Sequence, residues 1–318
     1  MKKTSSKFLN RSTLLRTGGT LVALVLLVYL LKKQGWQDIV TAIQQIGVDR
    51  LILAMALMIV SRLAVSARWH GLLRSAGIDI PVAKSFELNF AGLFANNFLP
   101  ATIGGDVVRL AGGLQFKLDG AVVAASLVVD RLVGMAAMAM VLPFGLPRFL
   151  QSRSLLGASW EGSAALYSGL VSLPFGARWK AFWEKGMVIL RRILNALALW
   201  LKQPRALLIA LAWTWVHMIC LFFFLSVIFA GMGDSLSFWV IAGLYSLVYF
   251  VTLLPISING YGVQELSMTL VFSRLGGATM AAGLTAALLF RTLMMIASLP
   301  GAAFVPAILA GNKNSPQE

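Results

Sequence analysis

A small set of ionisable residues lies among long runs of leucine, valine and alanine, and these are the residues equipped for chemistry. Arg62, Asp130, Arg131 and Arg291 fall inside apolar runs, while Glu87, Asp106, Arg109, Glu265 and Arg274 fall in the segments between them. A charge at the centre of a bilayer-spanning helix costs about 2.5–3.5 kcal/mol on insertion scales, so such residues turn inward and pair or bind something. Asp130 and Arg131 are adjacent, hence about 100° apart around a helix, and are poorly placed to neutralise each other. Each needs a partner elsewhere, and Arg109 and Arg291 are the candidates for Asp130. Taken together the set describes a polar cavity suited to an anionic group. Beside that reading stands the plainer one, that any single residue only pairs to hold two helices together.

The elements that would position these residues repeat. FLPATIGGDVVRL (98–110) and LLPISINGYGVQEL (253–266) both place a Leu-Pro before a Gly-Gly or Asn-Gly pair. Pro100 is followed at +4 and +5 by Gly104 and Gly105, and Pro255 at the same spacings by Asn259 and Gly260. Asp130-Arg131 and Arg291 follow the prolines by about 30 and 36 residues. Proline cannot continue helical hydrogen bonding, and Gly or Asn accepts positive φ, so each segment interrupts a helix. Irregular backbone at bilayer depth is tolerated only when buried in protein or lining a cavity. The pattern therefore predicts two re-entrant or broken-helix hairpins, at about 82–118 and 237–275. Short helices are expected to begin at Asp106-Val-Val-Arg109 and Gly262-Val-Gln-Glu265, their free N–H groups and positive dipole ends facing an anion such as phosphate. Asp106 capping its own helix is the simpler alternative.

Composition fixes the surroundings. The chain has 318 residues, 58% hydrophobic and only 12% charged, with a mean hydropathy of +0.82, against roughly 25% charge in soluble domains. It reads as a single all-α, polytopic membrane domain over residues 1–318. Apolar stretches near the ~20 residues that cross hydrocarbon include 51–67, 121–144, 206–230 and 278–299, and spans at about 17–31 and 155–175 complete about six. The net charge of +15 lies mostly in loops and termini, which points to membrane orientation rather than nucleic acid. Five Lys or Arg precede residue 17 and seven lie in 177–205, so both segments, and the C-terminus, are expected to be cytoplasmic. A loop carrying Arg68, Arg74 and Lys84 is expected on the same side. This parity makes repeat 1 (about 50–147) and repeat 2 (about 205–310) inverted, an arrangement recurrent in transporters with midplane sites. Between them, 178–203 reads as an amphipathic helix at the cytoplasmic interface. The single Cys220 excludes an intrachain disulfide, and His70 and His217 stand too far apart in sequence to suggest a metal site, so neither metal nor cofactor is expected.

At this point the residues resemble a known family. NNFLPATIGGDVVRL, the VVDRLVG helix, LLPISINGYGVQEL and LLFRT are similar to the transmembrane, flippase-like region of lysylphosphatidylglycerol synthases and related stand-alone proteins, over about residues 15–310. The resemblance matches Pro100, Gly104, Gly105, Asp106 and Arg109, then Asp130 and Arg131, then Pro255, Asn259, Gly260, Gly262, Glu265 and Arg291, and Asn97 lies in the same stretch. It implies a bacterial inner-membrane protein that moves a lipid with an anionic or polar headgroup between leaflets, of phospholipid, polyprenyl or hopanoid type. Those positions, the two prolines aside, are its expected substrate-binding residues. The synthases carry a following aminoacyltransferase domain; this sequence ends at Glu318, so that activity is not carried over and no enzyme is expected. No G-x-x-x-x-G-K-[ST], H-E-x-x-H or G-x-S-x-G motif occurs. The rival readings are an integral-membrane enzyme, with Asp106 or Asp130 as general base, and an accessory subunit of a separate transferase acting on lipid-linked phosphate or sugar.

Overall fold

A computed structural model describes residues 43–97, 104–148, 202–253 and 261–305, together with Thr41, Trp200 and Ile308. The expected spans at 17–31 and 155–175, most of the amphipathic helix, and Pro100, Pro255, Asn259 and Gly260 lie outside the described residues. Among the described residues the fold is entirely helical. Four helices are long and apolar enough to cross a membrane: α1 (Val48–Ser75), α4 (Gly120–Val141, continued by a 3-10 turn to Phe144), α5 (Pro204–Gly231) and α8 (Met280–Ser298, continued to Ala303). Between them lie α2 (Val82–Ala95) and α3 (Gly104–Gln115), then α6 (Phe238–Thr252) and α7 (Val263–Arg274).

The two halves have the same order and nearly the same lengths. α1 and α5 each have 28 residues, α2 and α6 have 14 and 15, α3 and α7 have 12 each, and α4 and α8 have 22 and 19. A 28-residue helix is about 42 Å long, ample for a hydrocarbon core of about 30 Å, whereas a 12-residue helix reaches only about 18 Å. The local causes also repeat. The Asp119 carboxylate caps α4 by accepting from the Ala121 and Val122 N–H groups, and the Thr279 hydroxyl caps α8 by accepting from Ala282 N–H. Both helices end at Leu-Pro, Leu142-Pro143 and Leu299-Pro300, where proline admits only a short 3-10 turn.

Each half closes on the other. The 3-10 turn after α4 packs on α6, and the one after α8 packs on α2. Backbones come so close there that a side chain at Gly243 would strike Gly145, and one at Gly301 would strike the Phe90 carbonyl. α1 and α5 run against each other in the centre, with Met58, Phe222, Phe224, Leu225 and Ile228 fully buried. Large apolar side chains such as Ile52, Leu208 and Ile209 face outward, as suits lipid contact, where close packing rather than hydrophobic exclusion holds helices together.

The α2–α3 pair depends on glycine. A Cβ on Gly105 would overlap the Gly92 carbonyl, fixed by helix geometry, and the Asn96 side chain, held by its hydrogen bond from Gly105 N–H. Gly105→Ala is expected to cost about 1–3 kcal/mol, the usual penalty for overpacking a tight contact. Unfolding in detergent micelles reads it, with Gly71→Ala, which meets open space, as the control.

Candidate functional site

The charged residues of the first half form one continuous network. Asp106 is the third residue of α3, and its carboxylate accepts from Arg131 Nε on α4 at 2.6 Å and from Arg109 Nη1 at 3.3 Å. Arg109 continues to Asp130 Oδ2 at 3.4 Å while stacking on the Trp69 ring at 4.1 Å. Asp130 Oδ1 accepts from Arg68 Nε at 2.6 Å, and Arg68 Nη1 donates to Thr214 on α5 at 3.0 Å. The chain of contacts thus ties α4, α3, α1 and α5 together. Asp130 and Arg131, side by side in sequence, do face different partners.

The second half repeats the pattern in reduced form. Glu265 is the third residue of α7 and Arg291 the twelfth of α8, as Asp106 is the third of α3 and Arg131 the twelfth of α4. Glu265 Oε1 accepts from Arg291 Nε at 2.6 Å, and its Oε2 accepts from Gly262 N–H at 2.8 Å. Arg291 also lies over the Tyr261 ring, 4.5 Å from its centre. Tyr261 donates to the Asn97 carbonyl at 2.6 Å, and Asn97 Nδ2 donates to the Ser298 hydroxyl at 2.8 Å. Asn97 therefore fastens the end of α2 to the end of α8.

Three expectations need correction on this geometry. Arg291 does not serve Asp130; it pairs with Glu265, while Arg68 and Arg109 hold Asp130. Arg68 is not in a loop: α1 continues to Ser75, and Arg68 is buried at 7% exposure. The short helices begin at Gly104 and Val263, and at each N-terminus one amide donor is already taken by the protein's own oxygen, Asn96 Oδ1 at Gly105 and Glu265 Oε2 at Gly262. A capping side chain there satisfies part of what an anionic ligand would otherwise supply.

Two adjoining cavities lie between the two charge clusters. One, of about 190 Å³, is lined by Arg62, His217, Tyr245, Tyr249 and Gln264 among others. The other, of about 200 Å³, is lined by Arg62, Arg68, Asp130, Arg131, Thr214 and His217. Each has room for several waters or for one small polar group. Ser61 and His217, each the fourteenth residue of its 28-residue helix, are joined by a 2.7 Å hydrogen bond at the α1–α5 contact. Arg131, whose side chain is 39% exposed, also borders a third space of about 250 Å³, an apolar slot between α3 and α4 walled by Val107, Leu110, Leu127 and Val128 and bordered by Asp106.

Of the expected site residues, Asp106, Arg109, Asp130 and Arg131 come together, and Gly262, Glu265 and Arg291 come together separately. Gly104 and Gly105 lie in the α2–α3 contact. Arg68, His217, Tyr245 and Tyr249 were missed as cavity residues. All four are polar residues in or beside apolar runs, the same signal that singled out the arginines. Among the described residues no group of three or more His, Cys, Asp or Glu is arranged to hold a metal ion.

The family described as the lysylphosphatidylglycerol synthase TM region matches residues 17–301. The chain belongs to this family. As a member it is a multi-pass membrane protein related to lipid modification or transport. Both charge clusters and both cavities of this family member fall within the matched residues. No curated protein matches the chain.

Proposed function

We propose that the protein is a flippase-like transporter that moves a lipid with an anionic or polar headgroup between the leaflets of a bacterial inner membrane. The observation that carries this reading is the polar hollow beside the midpoints of α1 and α5, which meets the apolar α3–α4 slot at Arg131. A headgroup suits the first space, while acyl or prenyl chains suit the second and the bilayer beyond it. In this reading about six segments cross the membrane, with both termini cytoplasmic. The α2–α3 and α6–α7 pairs are its two re-entrant hairpins, and the halves are inverted repeats. Support comes from the matched helix series, the reciprocal packing of the two 3-10 turns, and the recurrence of a carboxylate–arginine pair at the same helix positions. Inverted repeats with interrupted helices are a recurrent transporter design.

A transporter is favoured over a lipid-modifying enzyme because Asp106 and Asp130, the candidate general bases, are each held by two arginines. Membrane lipid is the expected partner, of phospholipid, polyprenyl or hopanoid type. Reconstitution into liposomes with headgroup-labelled phosphatidylglycerol is expected to show protein-dependent exchange between leaflets. Arg131→Ala is expected to slow that exchange about tenfold, equivalent to about 1.4 kcal/mol of lost headgroup attraction. Correctly folded protein that gives no acceleration with any anionic lipid sinks the transport reading.

A further inference from the structure

Five buried or half-buried arginines surround the hollow, Arg62, Arg68, Arg109, Arg131 and Arg291, and among the described residues Asp106, Asp130 and Glu265 are the carboxylates paired with them. The three carboxylates are engaged already: Asp130 by Arg68 and Arg109, Asp106 by Arg109 and Arg131, Glu265 by Arg291 and the Gly262 N–H. Arg62 is what remains. Among the described residues it makes no ion pair: its Nη2 reaches only the Met58 sulfur, at 4.0 Å, and its buried Nε has no acceptor. Yet Arg62 is 92% buried, and it is the fifteenth of the 28 residues of α1, at the helix midpoint.

A buried charge without a partner is costly and is retained where it binds something. Arg62 lines both cavities, and His217, Tyr245, Tyr249 and Gln264 border the same space. Donors arriving from α5, α6 and α7 as well as α1 suit a tetrahedral oxyanion better than a planar carboxylate, and the guanidinium fork presents two parallel N–H groups to phosphate. We infer that Arg62 anchors a phosphate-binding site between the two charge clusters, taking the phosphodiester of a lipid headgroup. This deepens the transport reading and rests on it for the source of the phosphate; the chemistry itself would also accept free inorganic phosphate.

The test titrates three probes into detergent-purified protein: dioctanoyl phosphatidylglycerol, dioctanoylglycerol without the phosphate, and inorganic phosphate, read by the thermal midpoint. Wild type and Arg62→Lys are expected to be stabilised by the phosphatidylglycerol and not by the diacylglycerol. Arg62→Met is expected to weaken that binding about thirty-fold or more, while its ligand-free midpoint stays level or rises, because a charge without a counter-ion has been removed. Tyr249→Phe, a milder change, is expected to weaken binding about threefold to tenfold through the loss of one donor. Undiminished binding in Arg62→Met, or equal binding of the diacylglycerol, overturns the site. So does a steep loss of ligand-free stability in Arg62→Met, which would mark Arg62 as structurally paired. Stabilisation by inorganic phosphate alone, lost in Arg62→Met, supports the site and removes the lipid as its source. In liposomes, Arg62-dependent binding without leaflet exchange sinks the transport reading and leaves the site standing. Exchange that is equally fast in Arg62→Met does the reverse.

Discussion

Asp130→Asn is expected to be among the most damaging single changes, costing about 3–5 kcal/mol. The residue is 5% exposed, and its two oxygens accept from Arg68 at 2.6 Å and from Arg109 at 3.4 Å. Asparagine keeps the shape but offers one acceptor oxygen, and it turns an amide donor toward a guanidinium. Arg68, buried in the protein, then loses its carboxylate, and buried Arg109 keeps only Asp106, which it shares with Arg131. Because the network runs through α1, α3, α4 and α5, the loss is felt at every helix it joins. Equilibrium unfolding in micelles measures it. The companion variant Asp130→Asn with Arg68→Met removes one positive charge along with the negative one, and is expected to recover more than half of the loss. If Asp130→Asn unfolds like wild type, the network is not what holds these helices together.

Much of this arrangement is legible from residue types alone, for physical reasons. The long helices are apolar runs bounded by strong signals: Pro204 at the first turn of α5, Asp119 and Thr279 at N-caps, Leu-Pro after α4 and α8. Helices on either side of the two Pro/Gly-containing segments do stop and restart, α2 at Ala95 and α3 at Gly104, α6 at Thr252 and α7 at Val263. What could not be read was which cation meets which anion. Hydropathy falls at Arg68, so a span judged by hydropathy ends there, although the helix continues and carries the arginine to Asp130. Pairing depends on helix rotation and crossing, which spacing in one chain does not specify. The capping of α7 by Glu265 illustrates the same limit: a carboxylate in the first turn of a helix is expected, but its second oxygen reaching Arg291 is a matter of how α7 meets α8. Arg62 was visible as a charge in an apolar run, but only three dimensions show that Asp106, Asp130 and Glu265 are already engaged by other arginines.

The second large effect separates the two repeated pairs. Glu265 and Arg291 have side chains 4% and 9% exposed, whereas Asp106 and Arg131 are 19% and 39% exposed. Equivalent positions therefore sit in different dielectric surroundings, and the same substitution should act differently. Glu265→Gln is expected to cost about 3–5 kcal/mol, since it strips the charge partner from a buried arginine and weakens the α7 cap at once. Asp106→Asn is expected to cost less, because Arg131 is only partly enclosed by protein and Arg109 keeps Asp130 as its partner. Replacing Glu265 and Arg291 together by Met is expected to restore stability to within about 1 kcal/mol of wild type, as paired removal of buried charges often does. Leaflet exchange should follow the opposite order. Asp106→Asn removes the carboxylate that holds Arg131 at the junction of the hollow and the slot, so it alters the rate of exchange more than the double Met variant does. Equal stability losses at Glu265 and Asp106, or a rate that tracks stability alone, would mean that the two pairs share one structural role and that the α3–α4 slot is not the way in.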